Sequence, residues 1–264
     1  MIKALTIRRS CIITFLLVFV MTMSGCGWWK DLWSRKQMSK GTPEALYQSG
    51  VAAYQDGRYK KAVEYFVRVK EENPLHPLAL QAELGIGDAH FSNEEYAEAE
   101  LAYTDFVSLH PTNENVPYAM YQLGMCHYKQ MGSIDRDQLE TVKAAREFER
   151  LMARYPSSKF AFLAEQKLRE CRKNMAEQEF YVGEFYFKQG KFQSALKRFQ
   201  TIAKNYPNLG LDYKVKAYID ETQKRMLKEK EKKDRDEKKA AADAMKKLPT
   251  KKIESGAARP PQGQ

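Results

Sequence analysis

Four alanines, Ala62, Ala99, Ala144 and Ala195, carry the same neighbours at fixed distances. Twelve residues after each stands a proline: Pro74, Pro111, Pro156 and Pro207. Four residues after each stands an aromatic: Phe66, Tyr103, Phe148 and Phe199. Seven after comes an apolar residue, Val69, Phe106, Leu151 and Ile202, and twelve before three of them comes a glycine, Gly50, Gly87 and Gly183. In the remaining unit the glycine is Gly124, twenty residues before Ala144. An offset of four keeps alanine and aromatic on one helical face, and the proline ends the helix. Each unit is therefore a helical hairpin. The glycine permits close approach of the first helix to its neighbour, the alanine lets the second helix pack on the first, and the aromatic fills the space between units. A hairpin alone cannot bury its faces, so stacked neighbours make the core. The pattern predicts an all-α superhelix of about four to five repeats over residues 43–226.

The units resemble the tetratricopeptide repeat, whose usual period is about 34 residues. Here the alanine spacings are 37, 45 and 51, so the array carries insertions. The third unit holds eight extra residues, "MGSIDRDQ". In the fourth, no Pro or Gly lies between Phe160 and Val182. This predicts one helix from Lys159 to Lys188, roughly 45 Å long at about 1.5 Å per residue, which offers surface to a partner. One further helix, from Asp212 to beyond Met226, caps the array.

The N-terminus has a different character. Lys3, Arg8 and Arg9 precede an apolar run from Cys11 to Met23. That run is shorter than the roughly 20 residues a bilayer span needs, and it fits a secretory signal. Ser24 and Gly25 stand directly before Cys26, which resembles a bacterial lipobox with Met23 in place of the usual Leu. The resemblance implies cleavage before Cys26, with a diacylglycerol on its sulfur and an acyl chain on its new amino group, and no other cofactor. All three tryptophans, Trp28, Trp29 and Trp33, follow at once, as interfacial residues would. Gly27 after the cysteine favours, by the same resemblance, the outer membrane. Residues 1–25 are then the signal and 26–42 a lipid-anchored linker.

The net charge of +10 belongs to the ends. Residues 1–26 hold three Lys/Arg and no acid, and the tail from Lys224 holds 14 Lys/Arg against 7 Asp/Glu. The body between holds 27 of each. A basic nucleic-acid face is not indicated, and residues 227–264 form a basic C-terminal tail. Its start can extend the last helix, and its Pro/Gly/Gln end is expected to be disordered. Of four cysteines, Cys126 and Cys171 remain after the signal and the lipid site are set aside. They either pair in an oxidising compartment or sit as small hydrophobes on helix faces. The histidines lie in separate elements, so no metal site is expected.

No nucleophile elbow, HExxH or phosphate-cradling loop appears. The Asp135–Arg136–Asp137 cluster fits a loop clamp better than a catalytic pair. The first helices instead offer a mainly apolar and aromatic set of side chains at positions that face the concave side. These are Tyr47, Val51 and Tyr54, then Leu84, Asp88 and Phe91, then Tyr118, Tyr121, Met125 and Tyr128. Exposed apolar groove residues mark recognition, so these positions predict a peptide groove.

With "SGC", "LYQSGVAAYQDGRYKKAVEYFVRVKEENP", the insertion-bearing "YAMYQLGMCHYKQMGSIDRDQ" and "FYFKQGKFQSALKRFQTIAKNYP" in this order, the chain resembles the BamD family of outer-membrane lipoproteins. The resemblance implies a non-enzymatic subunit of the β-barrel assembly machinery on the periplasmic face. It would bind the periplasmic domains of BamA and receive unfolded outer-membrane proteins through their aromatic-ended terminal segments, beside other lipoproteins of that machinery. It carries over Arg198 as a BamA contact. The alternative is a tetratricopeptide lipoprotein that pilots a secretin or pilus component.

Overall fold

The computed structural model describes residues 41–246. Cys26, the tryptophan cluster and the end of the basic tail lie outside the described residues. The chain divides into two compact units between Cys126 and His127. Among the described residues all regular structure is helical.

The first unit contains α1 (Pro43–Gln55), α2 (Tyr59–Glu72), α3 (Pro77–Ser92), α4 (Tyr96–Leu109) and most of α5 (Val116–Lys129). Local chemistry sets the helix starts. Thr42 Oγ1 accepts the Ala45 N–H at 3.3 Å, and His76 Nδ1 accepts that of Leu78 at 3.3 Å, each with a proline opening the helix behind it. A cap of this kind covers an amide that has no intrahelical partner. The hairpin turns repeat as well. Gly57 at φ +72° and Glu94 at φ +61° adopt the left-handed conformation. The next amide folds back five residues, from Arg58 to Ala53 O at 2.8 Å and from Glu95 to His90 O at 3.0 Å. This closes each helix in the manner of a Schellman motif.

The glycine and aromatic columns touch one another. A Cβ on Gly50 would stand 2.6 Å from Cε1 of Phe66, and one on Gly85 would stand 2.8 Å from Cε2 of the same ring. Phe66 is thus clasped between α1 of its own hairpin and α3 of the next. Gly87 makes the same allowance for Tyr103, at 2.6 Å. The expected role of the glycine, helix against helix, is therefore more specific: it is the seat of a ring sixteen residues on. Ala62, Phe66 and Val69 of α2 are buried with Leu46, Ala53, Ala82 and Ala89 in one cluster.

The second unit contains the end of α5, then α6 (Leu139–Arg154), α7 (Lys159–Lys188), α8 (Phe192–Asn205) and α9 (Asp212–Lys246). The long helix expected over 159–188 is α7, capped by Ser158 Oγ on the Phe160 amide at 3.2 Å. Gly190 at φ +70° turns α7 into α8, with Lys191 N on Tyr186 O at 2.9 Å. Gly183 receives Phe199, whose Cε1 would lie 2.7 Å from an added Cβ. The capping helix α9 buries Val215 and Thr222. Its Tyr218 ring lies 5.1 Å from both Phe180 and Phe199, with the Tyr218 hydroxyl donating to Glu184 at 2.8 Å.

The last helix runs past Met226, as expected, and the start of the basic tail extends it to Lys246. Every residue from 227 to 246 is exposed. Pairs such as Lys233–Glu237, 3.9 Å apart, support a helix that buries nothing. In the inserted loop, Ser133 Oγ donates to Asp135 Oδ1 at 2.5 Å, and Gln138 Nε2 donates to Ser133 O at 2.9 Å and Arg136 O at 3.1 Å. The Ser133 hydrogen bond holds Asp135 below the usual carboxylate range. The Asp-Arg-Asp cluster is a self-bonded loop, as the sequence favoured.

Candidate functional site

A groove of about 600 Å³ opens in the first unit between α1, α3 and the start of α5. Period-matched positions build its walls. Tyr47, Val51 and Tyr54 come from α1, Leu84 and Asp88 from α3, and Tyr118 from α5, joined by Phe66, Gln81 and Glu114. Leu84 was expected on a solvent-facing position. It is buried, and lies beneath the groove as part of the core. The Tyr54 hydroxyl sits 2.8 Å from Ser92 Oγ, which ties the end of α1 to the end of α3. The Tyr47 ring packs 5.6 Å from Phe66, so the groove wall rests on the clasped ring.

Asp88 is the groove's polar centre. Tyr103 and Tyr118 both donate to its Oδ1 at 2.6 Å, and Gln122 donates to Tyr118 at 3.1 Å. Burial pushes the Asp88 carboxyl up, and hydrogen bonds from Tyr103, Tyr118 and Gln122 work against that push. Burial first, and the Asp88 charge second, push the Tyr47, Tyr103 and Tyr118 hydroxyls up as well. These tyrosines are therefore neutral donors. Among the residues lining the groove there is no lysine, arginine or histidine.

The remaining positions expected in the groove do not line it. Phe91 packs edge-on against Tyr96 at 5.4 Å. Tyr121 and Met125 are half-buried further along α5. Tyr128, in the second unit, hydrogen-bonds Glu170, and Lys167 Nζ stands 4.5 Å over its ring. The constant offset from the glycine does not carry to Tyr121, Met125 and Tyr128, because α5 presents only its start to the groove, and Phe91, at the end of α3, is taken up by Tyr96. Arg198, on α8, places Nη1 2.9 Å from both carboxylate oxygens of Glu179 and stays partly exposed.

One feature had no clear sequence signal, and the cysteines follow the second of the two readings open to them. Each histidine pairs with a glutamate: His76 with Glu44 at 3.2 Å, His90 with Glu95 at 2.8 Å, His110 with Glu83 at 2.8 Å and His127 with Glu140 at 2.7 Å. Cys126 and Cys171 are buried free thiols, both pushed up to about 12 by burial. Among the described residues no helix is long and apolar enough to cross a membrane.

The chain is similar to known proteins along most of its length. It is 30% identical over 163 residues to the outer membrane protein assembly factor BamD of Caulobacter vibrioides, a match covering 62% of this chain and 53% of that protein. To the BamD of Rickettsia prowazekii it is 28% identical over 195 residues, covering 74% of this chain and 76% of that one. The chain thus spans about half the length of the Caulobacter relative and three quarters of the Rickettsia one. Among solved structures, the TPR2AB domain of yeast Sti1 in complex with pHSP90 gives a TM-score of 0.42 at 14% identity, covering 70% of this chain and 71% of that one. The sequence model of the YfiO outer membrane lipoproteins matches residues 39–239, from ahead of α1 well into α9, and the chain belongs to that family.

Proposed function

We propose that the protein is an assembly factor for outer-membrane β-barrel proteins, working by binding and positioning. The observation that carries this reading is the aromatic groove of the first unit, in a chain whose relatives are named as assembly factors. Tyr47, Val51, Tyr54 and Tyr118 present apolar surface to an unfolded segment, and Asp88 gives it a polar fixed point. The second unit serves the machinery. Arg198, held by Glu179 yet partly exposed, is positioned for an acidic group of a BamA-type barrel protein. Cys26 carries the lipid that holds the chain to the periplasmic face of the outer membrane.

Affinity purification of the lipidated protein from membranes tests the reading. Recovery of a BamA-type barrel protein is the expected result. Recovery of a secretin without it would point instead to a piloting lipoprotein.

A further inference from the structure

Past Met226, α9 is exposed on every side, yet its charges are sorted. At about 100° per residue, Lys224, Lys228, Lys232, Arg235, Lys239 and Lys246 share an arc about 80° wide. The other position on that arc is Ala242, and the six acids from Glu229 to Asp243 all fall outside it. Val215 and Thr222, which α9 buries, lie on the far side of the helix, roughly 130° from the middle of the arc. The Lys233–Glu237 pair lies with them. The cationic stripe is therefore turned away from the repeats. A helix stabilised for solvent alone alternates its signs at a spacing of four. Here Lys224, Lys228 and Lys232 follow one another at that spacing, as do Arg235 and Lys239, and each such pair works against the helix. The row runs roughly 33 Å, at about 1.5 Å per residue.

We infer that this stripe lies along an anionic lipid surface, with the phosphates of phosphatidylglycerol-type headgroups as its ligands. The chemistry of the row favours lipid over a protein partner. Five of its six cations are lysine. Lysine is a strongly hydrated point charge suited to a diffuse anionic surface, whereas protein interfaces favour arginine and aromatic anchors and are poor in lysine. The arc carries no aromatic and no large aliphatic side chain, so the contact stays at the headgroups and nothing inserts. Nearness to a bilayer comes from the proposed lipid on Cys26, and the inference rests on that reading for nothing else. An acyl anchor through residues 26–42 limits how far the chain can leave the membrane but not how it is turned. A row of cations supplies that orientation: it lays α9 along the leaflet and leaves the side that buries Val215 and Thr222 facing the periplasm.

Sedimentation with vesicles tests this on the unlipidated chain from Gly27 to Gln264, so that a failure here leaves the readings of Cys26 and of the client groove standing. Vesicles of phosphatidylcholine with about a quarter phosphatidylglycerol should bind at least about a hundredfold more tightly than phosphatidylcholine alone. Raising the salt from about 0.1 M to about 1 M shortens the screening length from about 10 Å to about 3 Å and should abolish the binding. Two double variants carry the decisive comparison. Lys228→Gln with Lys232→Gln takes two charges from the stripe and should weaken binding about 25-fold, at about fivefold per lysine. Lys230→Gln with Lys233→Gln takes the same charge from the opposite face, on residues that are also exposed, and should weaken it less than about threefold. Glutamine keeps the helix propensity of lysine, and circular dichroism checks that both variants keep α9. Equal losses in the two variants would make the contact one of net charge and overturn the inference. So would equal binding to both kinds of vesicle, or binding to neither. Salt-sensitive capture of an acidic protein through Lys228 and Lys232, without vesicle binding, would assign the stripe to a protein partner and overturn it as well.

Discussion

The hydroxyl of Tyr118 lies 2.6 Å from Asp88 Oδ1, thirty residues back along the chain, and joins the start of α5 to the middle of α3. Tyr103, fully buried, donates to the same oxygen. Removing the carboxyl strands the fully buried Tyr103 hydroxyl. Asp88→Ala should therefore destabilise the first unit by about 2 kcal/mol, as expected for a buried hydroxyl left without an acceptor, while Asp88→Asn should cost far less. Urea unfolding of the two variants checks the difference.

Asp88 also sets a pH dependence. Burial raises its native pKa, so the folded state holds this proton to higher pH than the unfolded chain does. Its contribution to stability is then greatest below the ordinary carboxylate range, and falls as pH rises through the raised native value. Glu95 runs the other way: its hydrogen bond from His90 lowers its pKa, and the stability it contributes is lost as pH falls. The stability difference between Asp88→Asn and the parent should shift in favour of the variant as pH rises from the acid side. A difference that is flat with pH would mean that Asp88 titrates as it does in the unfolded chain.

Gly50 and Gly85 hold the two edges of the Phe66 ring. A helical Gly→Ala change ordinarily stabilises by about 1 kcal/mol, but here the added methyl meets ring carbon at 2.6 Å or 2.8 Å. Gly50→Ala should instead destabilise by about 1–3 kcal/mol through overpacking. Adding Phe66→Leu should cost less in that background than in the parent, and a double-mutant cycle in thermal unfolding measures the coupling.

Glu94 occupies the turn position that Gly57 and Gly190 hold in two of the other hairpins, at φ +61°. A left-handed L-residue is strained by about 1–2 kcal/mol, part of which glycine gives back in chain entropy. Glu94→Gly should raise the melting temperature modestly. A fall would show that the Glu94 side chain contributes more than the strain it carries.

The hairpins were legible because their determinants are local. The alanine, aromatic and proline columns lie within one helix and its end, and the helix over 159–188 followed from the absence of any breaker. The glycine's true partner was harder to see. Phe66 contacts Gly50 of its own hairpin and Gly85 of the next, and one column cannot reveal which ring meets which helix. The groove was only partly legible for the same reason. The constant offset from the glycine finds Tyr47, Val51, Tyr54, Asp88 and Tyr118, but it also admits Phe91 and Tyr128, whose rings go to Tyr96 and Lys167. The Tyr103–Asp88–Tyr118 cluster joins three helices, which no periodicity encodes. The end of α9 was not legible because its buried positions stop at Thr222, while its later residues stay helical with charge pairs such as Lys233–Glu237.

That distinction gives a truncation test. Ending the chain after Lys230 removes only exposed residues of α9 and should leave the melting temperature unchanged. Ending it before Asp212 uncovers Phe180, Phe199 and Ile202, which pack with Val215, and should destabilise the second unit by several kcal/mol, since an uncapped repeat exposes its core face.

The central claim is that unfolded barrel proteins lie in the groove of the first unit, and site-specific photo-crosslinking in growing cells tests it most directly. A crosslinking amino acid at Val51, in the groove wall, should capture newly made outer-membrane proteins, and the yield should drop when Tyr118→Ala is added. The same residue at Leu109, exposed outside the groove, should capture few. Equal capture from both positions, or none at Val51 while barrel assembly proceeds normally, would contradict the account.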